Sequence, residues 1–243
     1  MERKKYIKGV ILATLLPLCT VFPESQIRDQ IYQAFINGDM KQWYASMIQL
    51  AEEPPSTIDQ HVELLSYYYG YTAWLIGNKQ SKPAAKYIAK AEELMETILL
   101  LEPENATVHA FRSAFIGYKI GLSPYKAPFL GSKSIASIER ALELDPDNIQ
   151  AHIENGNSLF YRPGIFGGDK NMAIIEYEKA AALFESQNKT ANNWKYLNLL
   201  TTLAQAYEAI GKPEKAQWLC EKILRMETDF TWVRDELCTR QNH

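Results

Sequence analysis

The sequence of 243 residues predicts an all-α fold, an α-solenoid of stacked helix–turn–helix units. Segments with apolar residues at helical spacing recur at intervals of about 40 residues, which is typical of repeat architectures. Two of these segments close with the same pattern, LEPEN at 101–105 and LDPDN at 144–148, where proline stops one helix before the next begins. The sequence has no run of alternating β-branched residues long enough to build a sheet. We therefore expect about four units with capping helices at both ends.

The N-terminal segment is not predicted to belong to this fold. A cationic start, Arg3 to Lys8, precedes an apolar run from Gly9 to Phe22. That run is about 14 residues long, the length of a signal-peptide core and short of the ~20 that span a bilayer. We predict a signal peptide at 1–25, a single helical repeat domain at 26–243, and export, to the periplasm. A lipid anchor at Cys19 and a buried N-terminal helix of a cytosolic protein remain as alternatives.

The last unit has the clearest pattern, LTTLAQAYEAIGKPEKAQWLCEKIL from Leu200 to Leu224. Small residues at Ala204 and Ala216 let two helices approach closely. Gly211 suits a tight turn because glycine tolerates positive φ, and Pro213 is tolerated in the first turn of the next helix. Together these residues resemble a tetratricopeptide repeat (TPR), a family of helix–turn–helix repeats.

Three earlier units show the resemblance more weakly, so that it covers Val62 to Asp229. One runs from Asn148 to about Phe184, with an inserted RPGIF after its first helix and Asp169 as the expected N-cap of its second. The two units before it end in the LEPEN and LDPDN patterns, and we expect long links before their second helices, including a proline-containing loop at Gly121 to Ser132.

Helices at the two ends of the array are expected to cap it. Ile27–Asn37 and Met40–Glu53 have helical periodicity and are joined by the turn NGD, but lack most repeat landmarks. Trp232–Arg240 is expected to form a terminal helix over the last apolar face, as repeat arrays require.

The TPR resemblance implies binding, because the first helices of such repeats line a concave groove for a peptide, a partner helix or another subunit. Only Lys119 and Asn157 approach the family's Lys, Arg and Asn clamp for peptide carboxylates, so we do not expect acidic C-termini as ligands. The groove is aromatic instead. Its partner-binding residues, carried over position by position, are Tyr67, Tyr71, Trp74, Phe111, Phe115, Tyr118, Lys119, Asn157, Phe160, Tyr161, Asn198, Thr201, Gln205 and Glu208.

Core packing is the alternative for any one of these aromatic residues, since four tyrosines within 67–71 must cover more than one face of a helix. Tyr71 and Trp74, at i and i+3, are the pair we most expect to be exposed.

A narrower resemblance rests on the signal peptide, the long links and the turn FGGDKNMA at Phe166–Ala173. It is to secreted bacterial TPR proteins, including the periplasmic T-component associated with TRAP transporters. This implies an alternative function, a small-ligand-binding accessory component of a periplasmic transport system. The loops at Gly121 and Arg162 would then enclose a pocket over the groove.

No pattern in the sequence indicates catalysis. The chain lacks a phosphate-binding glycine loop, a GxSxG elbow and the HExxH spacing, so we predict neither an enzyme nor a bound cofactor or metal. His109 and His152 stand early in successive first helices, where they could share a weak metal or proton site or could simply be surface histidines. Cys220 and Cys238 could pair in an oxidising compartment or could pack as small apolar side chains.

The overall charge also narrows the partner class. The formal net charge is −3, and beyond the N-terminus no dense basic run is present. Nucleic acid is therefore excluded as a partner, because its phosphates demand clustered Lys and Arg. We expect a protein or peptide partner, including a second copy of this chain, and no membrane span in the mature chain.

Overall fold

The computed structural model describes residues 24–52 and 56–239, which form ten α-helices. Most of the predicted signal segment, with Cys19, lies outside the described residues. The helices are α1 (Glu24–Asn37), α2 (Met40–Glu52), α3 (Ile58–Gly77), α4 (Ser81–Leu101), α5 (Ala106–Leu122), α6 (Ala127–Leu144), α7 (Ile149–Tyr161), α8 (Lys170–Ser186), α9 (Trp194–Ala209) and α10 (Pro213–Met226). Short 3-10 helices lie at Pro124–Lys126 and Gly164–Phe166, and a π-helical turn at Val233–Leu237.

Successive helices pair into five hairpins, from α1 with α2 to α9 with α10. Within the described chain, α3 packs on α5 and α5 on α7, whereas α4, α6 and α8 make their main contacts with first helices. Because first helices in the described part of the chain contact one another while the second helices make no comparable contact, the first helices lie on the inner side of the curved array. The predicted all-α solenoid is confirmed.

Several predicted turns are confirmed in detail. Gly38 and Gly211 have φ of 66° and 73°, which glycine adopts without steric cost. Asp39 accepts hydrogen bonds from the backbone of Lys41 and Gln42 at 3.1 and 3.0 Å. Asp169 caps α8 in the same way, because its carboxylate accepts hydrogen bonds from the backbone N–H groups of Asn171 and Met172.

The prediction of long links before two of the second helices is wrong. Only residues 78–80 separate α3 from α4, and the predicted loop at Gly121–Ser132 is mostly helical. Its prolines, Pro124 and Pro128, lie in the first turns of the 3-10 helix and of α6, where a missing N–H breaks no helical hydrogen bond. Proline there starts a helix rather than marking a loop.

The two ends of the array meet. The Phe35 ring lies 5.9 Å from Trp194 and 5.3 Å from Phe230, centroid to centroid. Trp43 meets Trp194 edge-on at 4.9 Å. We call these four residues the closure cluster; it joins the first hairpin to the last unit, a contact that the repeat pattern does not predict.

The end of the described chain closes over α9 and α10. Val233 and Leu237 are buried there, as expected for a terminal cap; Arg240, the end of that predicted helix, lies outside the described residues. Cys220 and Cys238 are both buried and contact each other, and their pairing stays a prediction. None of the helices in the described ranges is long and apolar enough to cross a membrane.

Candidate functional site

Four of the predicted groove residues lie in the core instead. The side chains of Tyr67, Phe111, Phe115 and Thr201 are at most 5% exposed. Tyr67 packs on Trp43 of the preceding helix, and both phenylalanines pack against Tyr69 across the α3–α5 contact. These positions therefore serve packing between helices and offer no free surface.

Tyr71 and Trp74, the pair expected to be most exposed, are half-buried. Their rings stack on each other at 5.7 Å with an interplanar angle of 22°. Tyr71 also contacts Tyr44 of α2 and Tyr87 of α4. This side of α3 therefore faces its second helices rather than the inner curve.

The structure does bring together the predicted residues of α5 and α7. Tyr118 and Asn157 are half-buried on these neighbouring inner helices. At the C-terminal end of α7, Phe160 is half-buried and Tyr161 is 72% exposed, with the two rings 5.0 Å apart. Lys119 is on another side of α5, where its ammonium forms an ion pair with Glu92 of α4.

The residues predicted on α9 are separate from this group. Asn198, Gln205 and Glu208 are half-buried, and the main contacts of α9 are with α8, α10, α1 and the terminal turn rather than with α7. Over the described chain, the groove row predicted from α3 to α9 is therefore continuous only across α5 and α7.

A buried carboxyl group, missed from the sequence, lies beneath this surface. Glu154 of α7 is 4% exposed. Its two oxygens accept hydrogen bonds from Gln150 Nε2 at 2.8 Å and Asn157 Nδ2 at 3.1 Å. The Tyr69 hydroxyl also bonds Glu154, and the Tyr69 ring stacks on Tyr118 at 5.6 Å. We call Tyr69, Tyr118, Gln150, Glu154 and Asn157 the Glu154 cluster.

Burial controls the electrostatics of the cluster. Removal from water raises the pKa of the Glu154 carboxyl to about 7, against the opposing effect of its hydrogen bonds from Asn157, Tyr69 and Gln150. Burial, with the nearby Glu154 carboxylate, also holds the pKa values of Tyr69 and Tyr118 well above their ordinary range. The phenols therefore stay neutral while the carboxyl titrates near neutral pH.

One sequence signal could have found this cluster. Glu154 precedes Asn157 by three residues on the same helix, so the two share a face. The Asn157 amide oxygen accepts from the hydroxyl of Tyr177 at 2.8 Å, which links α7 to α8. An acidic residue at i−3 from a predicted inner residue was thus visible, but its burial depends on Tyr69 of α3 and on the packing of α5 against α7.

His109 and His152, which could have shared a site, each contact a backbone carbonyl oxygen in the turn before their own helix. His109 Nε2 lies 3.0 Å from the Pro103 carbonyl oxygen, and His152 Nε2 lies 2.9 Å from that of Pro146. His152 also meets Glu176 at 2.6 Å. Across residues 24–52 and 56–239, no three His, Cys, Asp or Glu side chains are placed to hold a metal ion.

Comparison with known proteins decides the fold. No family model and no curated protein matches the sequence. The HusA haemophore from Porphyromonas gingivalis superposes with a TM-score of 0.60 at 18% identity, over 76% of this chain and 93% of HusA. A thermophilic TPR protein of Thermus thermophilus superposes with a TM-score of 0.53 at 13% identity, over 89% of this chain and 96% of that one.

The chain has a TPR-like helical repeat fold. At these identities the likeness establishes architecture alone, and residue roles must come from this chain's own geometry. Its inner surface over α5 and α7 differs from a polar peptide clamp, because the Glu154 cluster and Tyr161 combine aromatic rings with one buried carboxyl group.

Proposed function

We propose that this chain is an exported binding protein without enzymatic activity, and that it takes a protein or peptide partner against α5 and α7. The observation that carries the proposal is the exposed ring of Tyr161, held beside Phe160 at the end of α7. A tyrosine supported in this way offers a large contact area with little loss of side-chain entropy, which is the property of binding hot spots.

The neighbouring groups set the chemistry of the partner. The Lys170 ammonium lies 5.3 Å above the Phe160 ring, so positive charge adjoins the aromatic surface. A partner segment that pairs an apolar side chain with a carboxylate or a backbone carbonyl would match both groups. The TPR-like fold supports the proposal because stacked helix pairs build extended concave binding surfaces.

Export rests on the N-terminal sequence, whose cationic start and short apolar run match a signal peptide. The resemblance to the TRAP-associated T-component belongs to the alternative proposal, a small-ligand-binding accessory component of a periplasmic transport system.

Capture with a single-residue control tests this function. The chain is immobilised and exposed to an envelope extract, and bound protein is quantified for wild type, Tyr161→Ala and Trp218→Ala. Trp218 is the matched control because it is an exposed aromatic residue (55%) on α10. We expect Tyr161→Ala to weaken capture about tenfold or more and Trp218→Ala to leave it unchanged. Equal capture by all three proteins would overturn the assigned surface; a second copy of this chain counts as a partner.

A second candidate function is binding of a planar apolar ligand, and the likeness to a haemophore favours it. The exposed Tyr161 ring could stack on a tetrapyrrole, with the Phe160 ring edge-on beside it, while Lys170 could meet a carboxylate at the ligand's edge. Titration with haemin, followed by absorbance, tests this directly. A saturable change that Tyr161→Ala reduces would support the ligand function, and an unsaturable change shared with Trp218→Ala would rule it out.

A further inference from the structure

Four apolar side chains project into solvent from two neighbouring turns. Tyr125 and Phe129, at the α5–α6 turn, are 75% and 74% exposed. Ile165 and Phe166, at the α7–α8 turn, are 87% and 69% exposed. We call these four residues the apolar edge. Single exposed apolar residues are ordinary, but four at turns of adjacent units mark an interaction surface.

Chain topology puts both turns on one edge of the solenoid. The α5–α6 and α7–α8 pairs are antiparallel hairpins, and residues 145–148 join α6 to α7 directly. It follows that α7 runs parallel to α5, against which it packs. Parallel helices in contact end on the same side, so the turns that follow α5 and α7 are neighbours.

The turns hold these side chains outward in ordered backbone. The Lys126 N–H donates to the Ser123 carbonyl at 2.9 Å, and Gly167 N–H donates to the Gly164 carbonyl at 2.9 Å. Gly168 lies so close to the chain that an added Cβ would sit 1.8 Å from the Arg162 carbonyl oxygen. Because the backbone is already ordered, binding through the apolar edge loses little conformational entropy.

Positive charge surrounds the apolar edge although the chain as a whole is acidic. From Ala106 to Ile138 the sequence contains no Asp or Glu. Lys126 lies over the Tyr125 ring at 6.0 Å, Lys133 follows Phe129 by one helical turn, and Lys170 begins α8. At the turns themselves these three lysines stand against one acidic residue, Asp169, which caps α8. These lysines are spread over 45 positions of sequence and are placed on the same edge only by the fold, so the sequence shows no basic run.

We infer that the apolar edge docks this protein on the surface of an anionic phospholipid bilayer. Aromatic and aliphatic tips enter the headgroup region while flanking lysine ammonium groups meet lipid phosphates, the arrangement of proteins that lie on a membrane without crossing it. A protein partner would more commonly meet a groove or a flat patch, whereas these side chains project from two separate turns. Docking through the two turns leaves Tyr161 and the Glu154 cluster free for a partner, and Lys170 is the residue that both surfaces share. The tests of docking therefore leave Lys170 unchanged.

Flotation with lipid vesicles tests the inference. The full chain, and a chain starting at Gln26 that lacks the apolar N-terminal run, are mixed with vesicles of phosphatidylcholine alone or with phosphatidylglycerol added. We expect both chains to float with the anionic vesicles and to bind them about tenfold better than phosphatidylcholine alone, with weaker binding at high salt. Failure of the chain from Gln26 to float with either vesicle would overturn the inference.

Matched variants assign the binding to the edge. Phe129→Ser with Phe166→Ser should reduce flotation about tenfold, and Lys126→Glu with Lys133→Glu should remove the preference for anionic lipid. The control, Leu100→Ser with Trp218→Ser, changes two side chains that are 84% and 55% exposed elsewhere and should float like wild type. Circular dichroism confirms that each variant is folded. Equal flotation of all variants would overturn the assignment. If no variant floats and the Phe129→Ser, Phe166→Ser variant loses envelope-protein capture, the apolar edge binds a protein, and the inference is overturned.

Discussion

At the scale of single residues, Glu154 is a carboxyl group held almost entirely out of water. Gln150, Asn157 and Tyr69 satisfy its oxygens, yet no positively charged group is among the influences on its pKa. A buried carboxyl without a cationic partner is cheaper to keep protonated than ionised. Such groups cluster at functional sites, and this one lies beside the surface proposed to bind the partner.

The first prediction is that Glu154 makes stability depend on pH. Its pKa is about 7 when folded and 4.5 in an unperturbed carboxyl, so the folded chain binds more protons than the unfolded chain between those values. The stabilising effect is full below pH 4.5 and is lost as pH rises through about 7. Glu154→Gln should therefore stabilise the protein relative to wild type at pH 8 by about 2 kcal/mol, and much less at pH 4.5.

Urea unfolding of wild type and Glu154→Gln at several pH values measures this difference. Glu96→Gln, an exposed residue of α4, controls for the change in net charge. A stability difference that stays constant from pH 4.5 to 8 would show that Glu154 does not titrate in this range.

At the scale of helix pairs, two glycines distinguish close packing from an open surface. A Cβ on Gly156 of α7 would lie 2.4 Å from Cε1 of Tyr177, whose ring is buried against α7. A Cβ on Gly117 of α5 would meet nothing within 4 Å. The same residue type therefore has opposite roles in two neighbouring first helices.

The second prediction follows from that contrast. Gly156→Ala should destabilise the protein by about 2 kcal/mol, because Tyr177 is held by its neighbours and by its hydrogen bond to Asn157. Gly117→Ala should stabilise it by roughly 0.5–1 kcal/mol, because alanine loses less backbone entropy in a helix. Thermal unfolding of both variants checks the pair, and similar effects of the two substitutions would contradict the close contact between α7 and α8.

The same scale shows what the sequence could predict. Most helix positions, the turns at Gly38 and Gly211 and the cap at Asp169 follow from local chemistry and are confirmed. The prediction of a loop between α5 and α6 was wrong because proline can either break a helix or begin one. Only the residues that follow the proline decide between the two.

Site residues were harder to predict than helices, for a physical reason. The TPR positions predict which side of a helix faces inward, but the burial of each side chain depends on residues that neighbouring helices place over it. Phe111 and Phe115 are covered because Tyr69 fills the space between α3 and α5. Glu154 and the apolar edge depend on residues far apart in sequence, so periodicity within one repeat cannot reveal them.

At the scale of the whole molecule, contact between the two ends changes how stability is shared. In an open repeat array each unit touches only its neighbours, so its stability is a sum of local terms. Here the closure cluster joins α1 and α2 to α9, and Tyr32 Oη donates to Glu227 at 2.5 Å beside it. Near the cluster, Arg28 of α1 forms an ion pair with Glu63 of α3. Burial lowers the pKa of Lys195 of α9 to about 8.

The third prediction is energetic coupling between the ends of the chain. Phe35 and Trp194 are separated by 159 positions, yet their rings are 5.9 Å apart. Phe35→Ala, Trp194→Ala and the double variant should therefore give an interaction energy of about 0.5–1.5 kcal/mol in urea unfolding. The control cycle pairs Phe35→Ala with Trp218→Ala, an exposed residue outside the cluster, and should be additive. Additivity in both cycles would mean that the ends do not meet in solution, and unfolding would then be expected to proceed unit by unit, as in an open array.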